Sequence, residues 1–344
     1  MSQKNETLPL ILALLITAGI LGGAVWWFTR SSPPQVGGLG QQARGRTESN
    51  AAQTFAKVND VPSGLFSYGG STTWAPLRAQ VDSAIQTVWP QFKLRYTQPT
   101  NAAPGSGTGI KMLLDGQLAF AQSSRPLKPE EYQTAQDKGF QLKEIAVAID
   151  GIAIAVHPDL DIPGLTISQL KDIYTGKITN WSQVNGPNIP IIPYSRRIEE
   201  GGTIEFFVEN VLGGDRFGNN IQYIPTTTQA LKQVSENPGS IYYASAPEIV
   251  PQCTVKPLPL GRTSDTLVAP YREPFVSLER CPNPRNELNG EAFQNGDYPI
   301  TRRLFVIVRQ NGQADERAGE AYAQLLLTDQ GQNLIDKAGF VRIR

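Results

Sequence analysis

The chain has 344 residues, with 31 basic and 31 acidic side chains and a formal net charge of zero. That balance excludes a general nucleic-acid surface, which needs a basic excess, but not a site that holds a small anion with neutral N–H and O–H dipoles. One histidine (His157) and two cysteines provide no His/Cys/Asp set at metal-ligand spacing and no base beside a hydroxyl nucleophile. Neither an enzyme, a metal site nor a cofactor is therefore expected.

Residues 8–28 form an almost unbroken apolar run, long enough to span a bilayer, ending in Trp26 and Trp27, which read as interfacial anchors. An uncleaved transmembrane anchor over 1–30 is favoured over a cleaved signal, which would have a shorter apolar region and a small-residue cleavage site. Lys4 precedes the run and Arg30, Arg44 and Arg46 follow it. Charge alone would place the body in the cytoplasm, a soft rule when so few charges are counted. Residues 31–61 are rich in Ser, Pro, Gly and Gln and read as a flexible linker with a reach of about 30 Å. Cys253 and Cys281 are either two free thiols or, the reading preferred here, a disulfide fitting an oxidising compartment.

The folded body alternates strand-like and helix-like segments. Strands are expected at 66–68, 92–97, 118–121, 141–148, 151–156, 189–194, 240–244 and 303–309. Helices are expected at 72–88, 110–117, 129–138, 168–174, from 203, and at 227–236, 315–327 and 328–338. Trp74, Leu77, Val81, Ile85 and Val88 recur at helical spacing, with Pro76 in the first turn. The alternation argues for α/β domains with mainly parallel sheets. Asp150-Gly151 reads as a crossover, giving one lobe from 62–148 plus 263–344 and a second from 149–262. The stretch 263–299 is loop-rich.

Three segments pair glycine with a hydroxyl residue just before a helix start: Gly70-Ser71-Thr72-Thr73, Gly105-Ser106-Gly107-Thr108-Gly109 and Gly201-Gly202-Thr203. Glycine lets backbone approach a ligand, the hydroxyl donates, and the helix start adds free N–H groups and a partial positive charge. One such segment is ordinary capping; three suggest helix ends converging on one oxyanion. The segment 105–109 fits neither the dinucleotide nor the P-loop pattern.

The runs Gly70–Leu77, Gly105–Ile110, Ser123-Ser124-Arg125-Pro126-Leu127, Ile149–Val156 and Leu170–Trp181, with Arg197 ahead of Gly202-Thr203, resemble the phosphate-binding proteins of ABC transporters, the PstS-like family. The resemblance covers residues 64–344. It implies a type II periplasmic-binding-protein fold, two α/β lobes closing on phosphate, with delivery to an ABC permease. The implied setting is the periplasmic side of the inner membrane, held there by the N-terminal helix, or the periplasm itself if that segment is cleaved. A monomer is expected. Carried over by position, Ser71, Thr72 and Thr73 form the first loop. Ser106, Gly107 and Thr108 form the second, Arg197 supplies a charged fork, and Gly201, Gly202 and Thr203 close the site. Some members carry Asp where this chain has Ser124, as acceptor for the phosphate proton. Arg125 is either an anion contact or an ion-pair residue, and Asp150 is either a replacement acceptor or a turn residue. Another oxyanion, such as sulfate or molybdate, and a tethered sensor or assembly role are the alternatives.

Overall fold

A computed structural model describes residues 54–198 and 201–343. The expected anchor over 1–30 lies outside them, as does most of the expected linker over 31–61. Among the described residues no helix is long and apolar enough to cross a membrane. The linker ends earlier than its composition suggests. Phe55 is fully buried in a short 3-10 turn, its N–H donating to Gln330 Oε1 at 2.9 Å and its carbonyl accepting from Trp89 Nε1 at 2.9 Å. One large apolar side chain is enough to fasten an otherwise polar segment.

In chain order the first half comprises β1 (Gly64–Gly70), α1 (Ala75–Val88), β2 (Phe92–Tyr96), α2 (Ser106–Leu114), β3 (Phe120–Ser123), α3 (Pro129–Asp137) and β4 (Gln141–Val156). Then come β5 (Leu165–Thr166), α4 (Ile167–Tyr174), β6 (Ile192–Ser195), α5 (Gly202–Asn210), β7 (Gln222–Tyr223), α6 (Thr227–Glu236), β8 (Ser240–Ser245) and α7 (Ala246–Ile249). The chain closes with β9 (Lys256–Leu258), β10 (Leu260–Gly261), α8 (Gly290–Asn295), β11 (Thr301–Gln310), α9 (Ala314–Leu326), α10 (Asp329–Lys337) and β12 (Val341–Arg342). Helix starts follow local chemistry: the side chains of Thr166, Thr226 and Thr328 each accept a first-turn N–H of α4, α6 and α10.

The main sheet runs β2-β1-β3-β11-β4-β8-β6-β7, with β9 and β12 also paired to β4. The strands expected at 141–148 and 151–156 are one continuous 16-residue strand, β4, with no break at the crossover. Its first part pairs antiparallel with β11, from Gln141↔Gln310 to Gly151↔Thr301. Its last part pairs with β8, from Ile152↔Ser245 to Val156↔Ile241. One strand therefore belongs to both lobes.

Two cores flank that transition. Trp74, Leu77, Val81 and Ile85 pack with Phe66, Tyr68, Phe120, Val306 and Tyr322 on one face of the first sheet half, and Ile110, Leu113, Leu142 and Ile307 cover the other. Trp181, Tyr174, Phe207, Ile241 and Tyr243 fill the second lobe, where Tyr271, Phe293, Tyr298 and Ile300 join them. The segment 263–299 thus packs with the second lobe, against its expected place in the first. Its aromatics are spread through irregular chain, where no period marks them as core. Cys253 and Cys281 form a disulfide with Cα atoms 5.7 Å apart.

Candidate functional site

The first loop leaves the end of β1 and turns at once into the 3-10 turn Thr72–Trp74 that leads into α1. Gly70 has φ of 123°, and a Cβ there would collide with the Gln122 carbonyl of the neighbouring strand. Only glycine fits this exit. A Cβ on Gly109 of α2 would strike Gly70 in turn. The glycine of the second segment thus serves the approach of helix to strand.

Ser71, Ser106 and Ser124 are all fully buried and meet in one cluster. Ser71 Oγ donates to Ser124 Oγ at 3.0 Å, Ser106 Oγ lies 3.2 Å from Ser124 Oγ, and Ser124 N–H donates to Ser106 Oγ at 3.1 Å. The α5 start from the other lobe comes down on this cluster: a Cβ on Gly202 would sit 2.7 Å from Ser106 Oγ and 2.8 Å from Ser124 Oγ. Thr73 and Thr203, from opposite lobes, stand with Oγ1 atoms 3.3 Å apart. Thr108 is not in this group; its hydroxyl turns back to the Ala103 carbonyl at 2.8 Å, an ordinary cap of its own loop. Gly107 and Gly201 sit in the two helix starts, close to Arg125 and Thr72 respectively.

Beside these hydroxyls lies an interlobe cavity of roughly 220 Å³. Thr72, Thr73 and Pro76 line one wall; Arg196, Thr203, Thr227, Tyr242 and Glu248 line the other. The arginine that lines this cavity is Arg196, the neighbour of the expected residue. Arg197 is exposed, its guanidinium over the Tyr223 ring at 4.9 Å, in a separate surface hollow with Ile198 and Phe217. Two adjacent arginines at the end of an edge-side strand thus point different ways, a difference that motif spacing does not show.

Two residues left open by the sequence have defined partners. Arg125 stands in the ion-pair setting that was one of its two expected alternatives. It is 3% exposed, forks onto Glu131 (Nη1 to Oε2 2.9 Å, Nη2 to Oε1 2.7 Å), and donates Nε to Glu205 Oε2 at 3.2 Å. Lys128 reaches the same lobe, at 2.5 Å from Glu205 and 2.9 Å from Glu209. Burial alone would raise the Glu205 carboxyl, but hydrogen bonds and charge from Lys128 and Arg125 hold it below its ordinary value. The turn after Ser124 is thus tied by ion pairs to the helix that carries Gly202 and Thr203.

Asp150 is not an open acceptor. It is 1% exposed; its Oδ2 takes a hydrogen bond from Arg302 Nε at 2.9 Å and lies 2.8 Å from Nη2 as an ion pair, and its Oδ1 takes Ser245 Oγ at 2.6 Å. Burial pushes this carboxyl upward against the pull of Arg302 and Ser245. Arg302, which sequence reasoning missed, also donates Nη2 to both Thr73 Oγ1 and Thr203 Oγ1 at 3.0 Å, and Nη1 to the Gly202 carbonyl at 3.3 Å. A signal for it exists. Within the apolar strand Arg302-Arg303-Leu304-Phe305-Val306, a two-residue period places Arg302 inward with Leu304, and an inward arginine needs a buried partner. Among the described residues no group of three or more His, Cys, Asp or Glu could hold a metal.

Two α/β lobes sharing a continuous strand, with hydroxyls, helix starts and an arginine facing one another across a cleft, define a ligand-binding protein of the periplasmic-binding-protein class. The sequence matches the PBP superfamily domain over residues 45–330, and the chain belongs to that family. The phosphate-binding protein PstS of Staphylococcus epidermidis is 29% identical over 275 residues, 79% of this chain and 77% of its own. Its counterpart in Staphylococcus saprophyticus is 27% identical over 253 residues, 71% of each chain. A phosphate ABC transporter substrate-binding protein from Clostridium perfringens, solved with bound phosphate, superposes with a TM-score of 0.63 at 26% identity, over 82% of this chain and 100% of that one. An ABC-type phosphate transport receptor from Vibrio cholerae shares the fold, with a TM-score of 0.63 at 20% identity over 80% and 99% of the two chains.

Proposed function

We propose that this protein captures inorganic phosphate in the interlobe cleft and delivers it, unchanged, to an ABC permease. The observation that carries the reading is the meeting of Thr73 and Thr203 across the lobes at 3.3 Å, with Arg302 donating to both. Both hydroxyl oxygens then act as acceptors toward the arginine, which frees their protons to point at a ligand oxygen. The buried arginine also adds positive potential. The ligand set is Ser71, Thr72, Thr73, Ser106, Ser124, Gly202, Thr203 and Arg196, with the N–H groups at the starts of α2 and α5. One lobe comprises 62–148 with 301–344, the other 149–300. The protein is extracytoplasmic and monomeric, held at the periplasmic side of the inner membrane by the apolar run 8–28. What supports the phosphate reading is the likeness to the PstS proteins of both staphylococci and to the phosphate-bound structure from Clostridium perfringens.

The test is calorimetric titration of the full chain in detergent with phosphate, sulfate and molybdate, after stripping bound ligand. Phosphate binding at micromolar or tighter Kd is expected; absence of binding to any oxyanion refutes the reading.

A further inference from the structure

The cleft cavity carries one carboxylate. Around it the lining residues suit an anion: the hydroxyl residues Thr72, Thr73, Thr203, Thr227 and Tyr242, and the cation of Arg196. Glu248, on α7, is half-buried in the same wall. An unprotonated carboxylate facing an unprotonated anion sets acceptor against acceptor, which a closed cleft cannot tolerate. The other carboxylate in the neighbourhood, Asp150, is 1% exposed, does not line the cavity and is already bonded to Arg302 and Ser245. Glu248 takes a hydrogen bond from Thr227, whose Oγ1 lies 3.3 Å from Tyr242 Oη.

We propose that Glu248 is the specificity-determining acceptor of the cleft: it takes a hydrogen bond from a protonated ligand oxygen and so selects phosphate-type oxyanions over sulfate. This rests on the phosphate-capture reading. Phosphate near neutral pH carries a proton to donate, and sulfate carries none. A site built around one hydrogen-bonding group rejects the analogue that lacks the complement by orders of magnitude. Thr73 and Thr203 cannot supply this discrimination, because their hydroxyls donate to the unprotonated oxygens of either anion equally well.

The charges facing Glu248 come from several elements. Burial pushes its carboxyl above the ordinary value and Asp150 on β4 adds to the rise, while Thr227 on α6, Arg302 on β11 and Arg196 after β6 oppose it. Below that raised value Glu248 is neutral and becomes a donor, so sulfate is rejected at high pH and tolerated at low pH. Asp150 acts on Glu248 through its charge, and a Glu248→Gln control separates the two.

The experiment titrates the full chain and its Glu248→Gln variant with phosphate and with sulfate at pH 8, then follows sulfate alone from pH 8 to pH 4. Sulfate stays unprotonated throughout that range, so any change reports the protein. Expected for the wild type is sulfate binding at least about 100-fold weaker than phosphate at pH 8 and tightening as the pH falls. Expected for the variant is a phosphate-to-sulfate ratio at least about tenfold smaller, with sulfate affinity flat in pH. A wild-type protein that binds both anions alike overturns the inference alone, as does a variant with an unchanged ratio. If the variant does not fold, the wild-type sulfate profile decides, and a flat profile overturns the inference. A wild-type protein that binds no phosphate refutes the phosphate-capture reading itself.

Discussion

Arg302 and Asp150 are almost wholly removed from water, with side chains 1% and 0% exposed and a 2.8 Å contact. A pair in that setting contributes little net stability, because desolvation offsets the attraction, but breaking it leaves a lone buried charge. Arg302→Met is expected to destabilise the protein by about 3–5 kcal/mol in urea unfolding. Arg302→Met with Asp150→Asn is expected to recover most of that loss; a double variant no better than the single would mean that the pair is not the cause. Gly202 gives a cleaner separation of closing from folding. Its missing Cβ would lie within 2.8 Å of Ser124 Oγ on the opposite lobe. Gly202→Ala is expected to leave the melting temperature of the ligand-free protein nearly unchanged and to weaken phosphate binding tenfold or more. That corresponds to the about 1–3 kcal/mol typical of an overpacked contact. A fall in stability without loss of affinity would place Gly202 outside the closing surface.

At the scale of elements, α5 supplies Gly202 and Thr203 to the cleft and, one turn on, Glu205 and Glu209 to Arg125 and Lys128. Ligand contact and ion pairing therefore form on the same helix. The partly exposed Lys128 pairs are each worth about 1 kcal/mol or less and are screened by salt. Phosphate affinity is expected to fall a few-fold between low and high ionic strength, and Lys128→Met to flatten that dependence. Equal salt slopes for the two proteins would exclude the pairs from closing. The pH sign follows from Glu205. Its carboxyl is held below the ordinary value, so its contribution is present above the usual carboxylate range and is lost as pH falls through the depressed value.

The elements were legible in the sequence where a period was clear. The apolar residues of 72–88 mark one helix, although its first turn, Thr72–Trp74, tightens to 3-10. The three glycine–hydroxyl segments likewise mark loops whose residues approach one another across the lobes. What spacing could not resolve is direction: which of Arg196 and Arg197 faces inward, and that Arg125 meets Glu205, 80 residues away. Those depend on contacts between lobes, which no local pattern encodes.

Across the whole molecule, the second lobe gathers distant chain segments, and the 253–281 disulfide closes a loop with a sequence separation of 28 within that lobe's irregular half. Loop-closure entropy puts its contribution at about 3–4 kcal/mol. Reduction, or the Cys253→Ser/Cys281→Ser double variant, is expected to lower urea stability by that order. An unchanged midpoint would mean that the segment is held by Tyr271, Phe293 and Tyr298 alone.

One consequence follows from the single strand that serves both lobes. β4 changes partners between Gly151, paired with Thr301, and Ile152, paired with Ser245, and Asp150 sits one residue before that change. The Arg302 clasp, and through it Thr73 and Thr203, is thus mounted at the fulcrum of the molecule. A lever loaded beside its fulcrum converts a slight turn into wide travel at its far ends. An ion of a few atoms, gripped there, can set the spacing of the two outer rims, where a permease would feel whether the cleft is full.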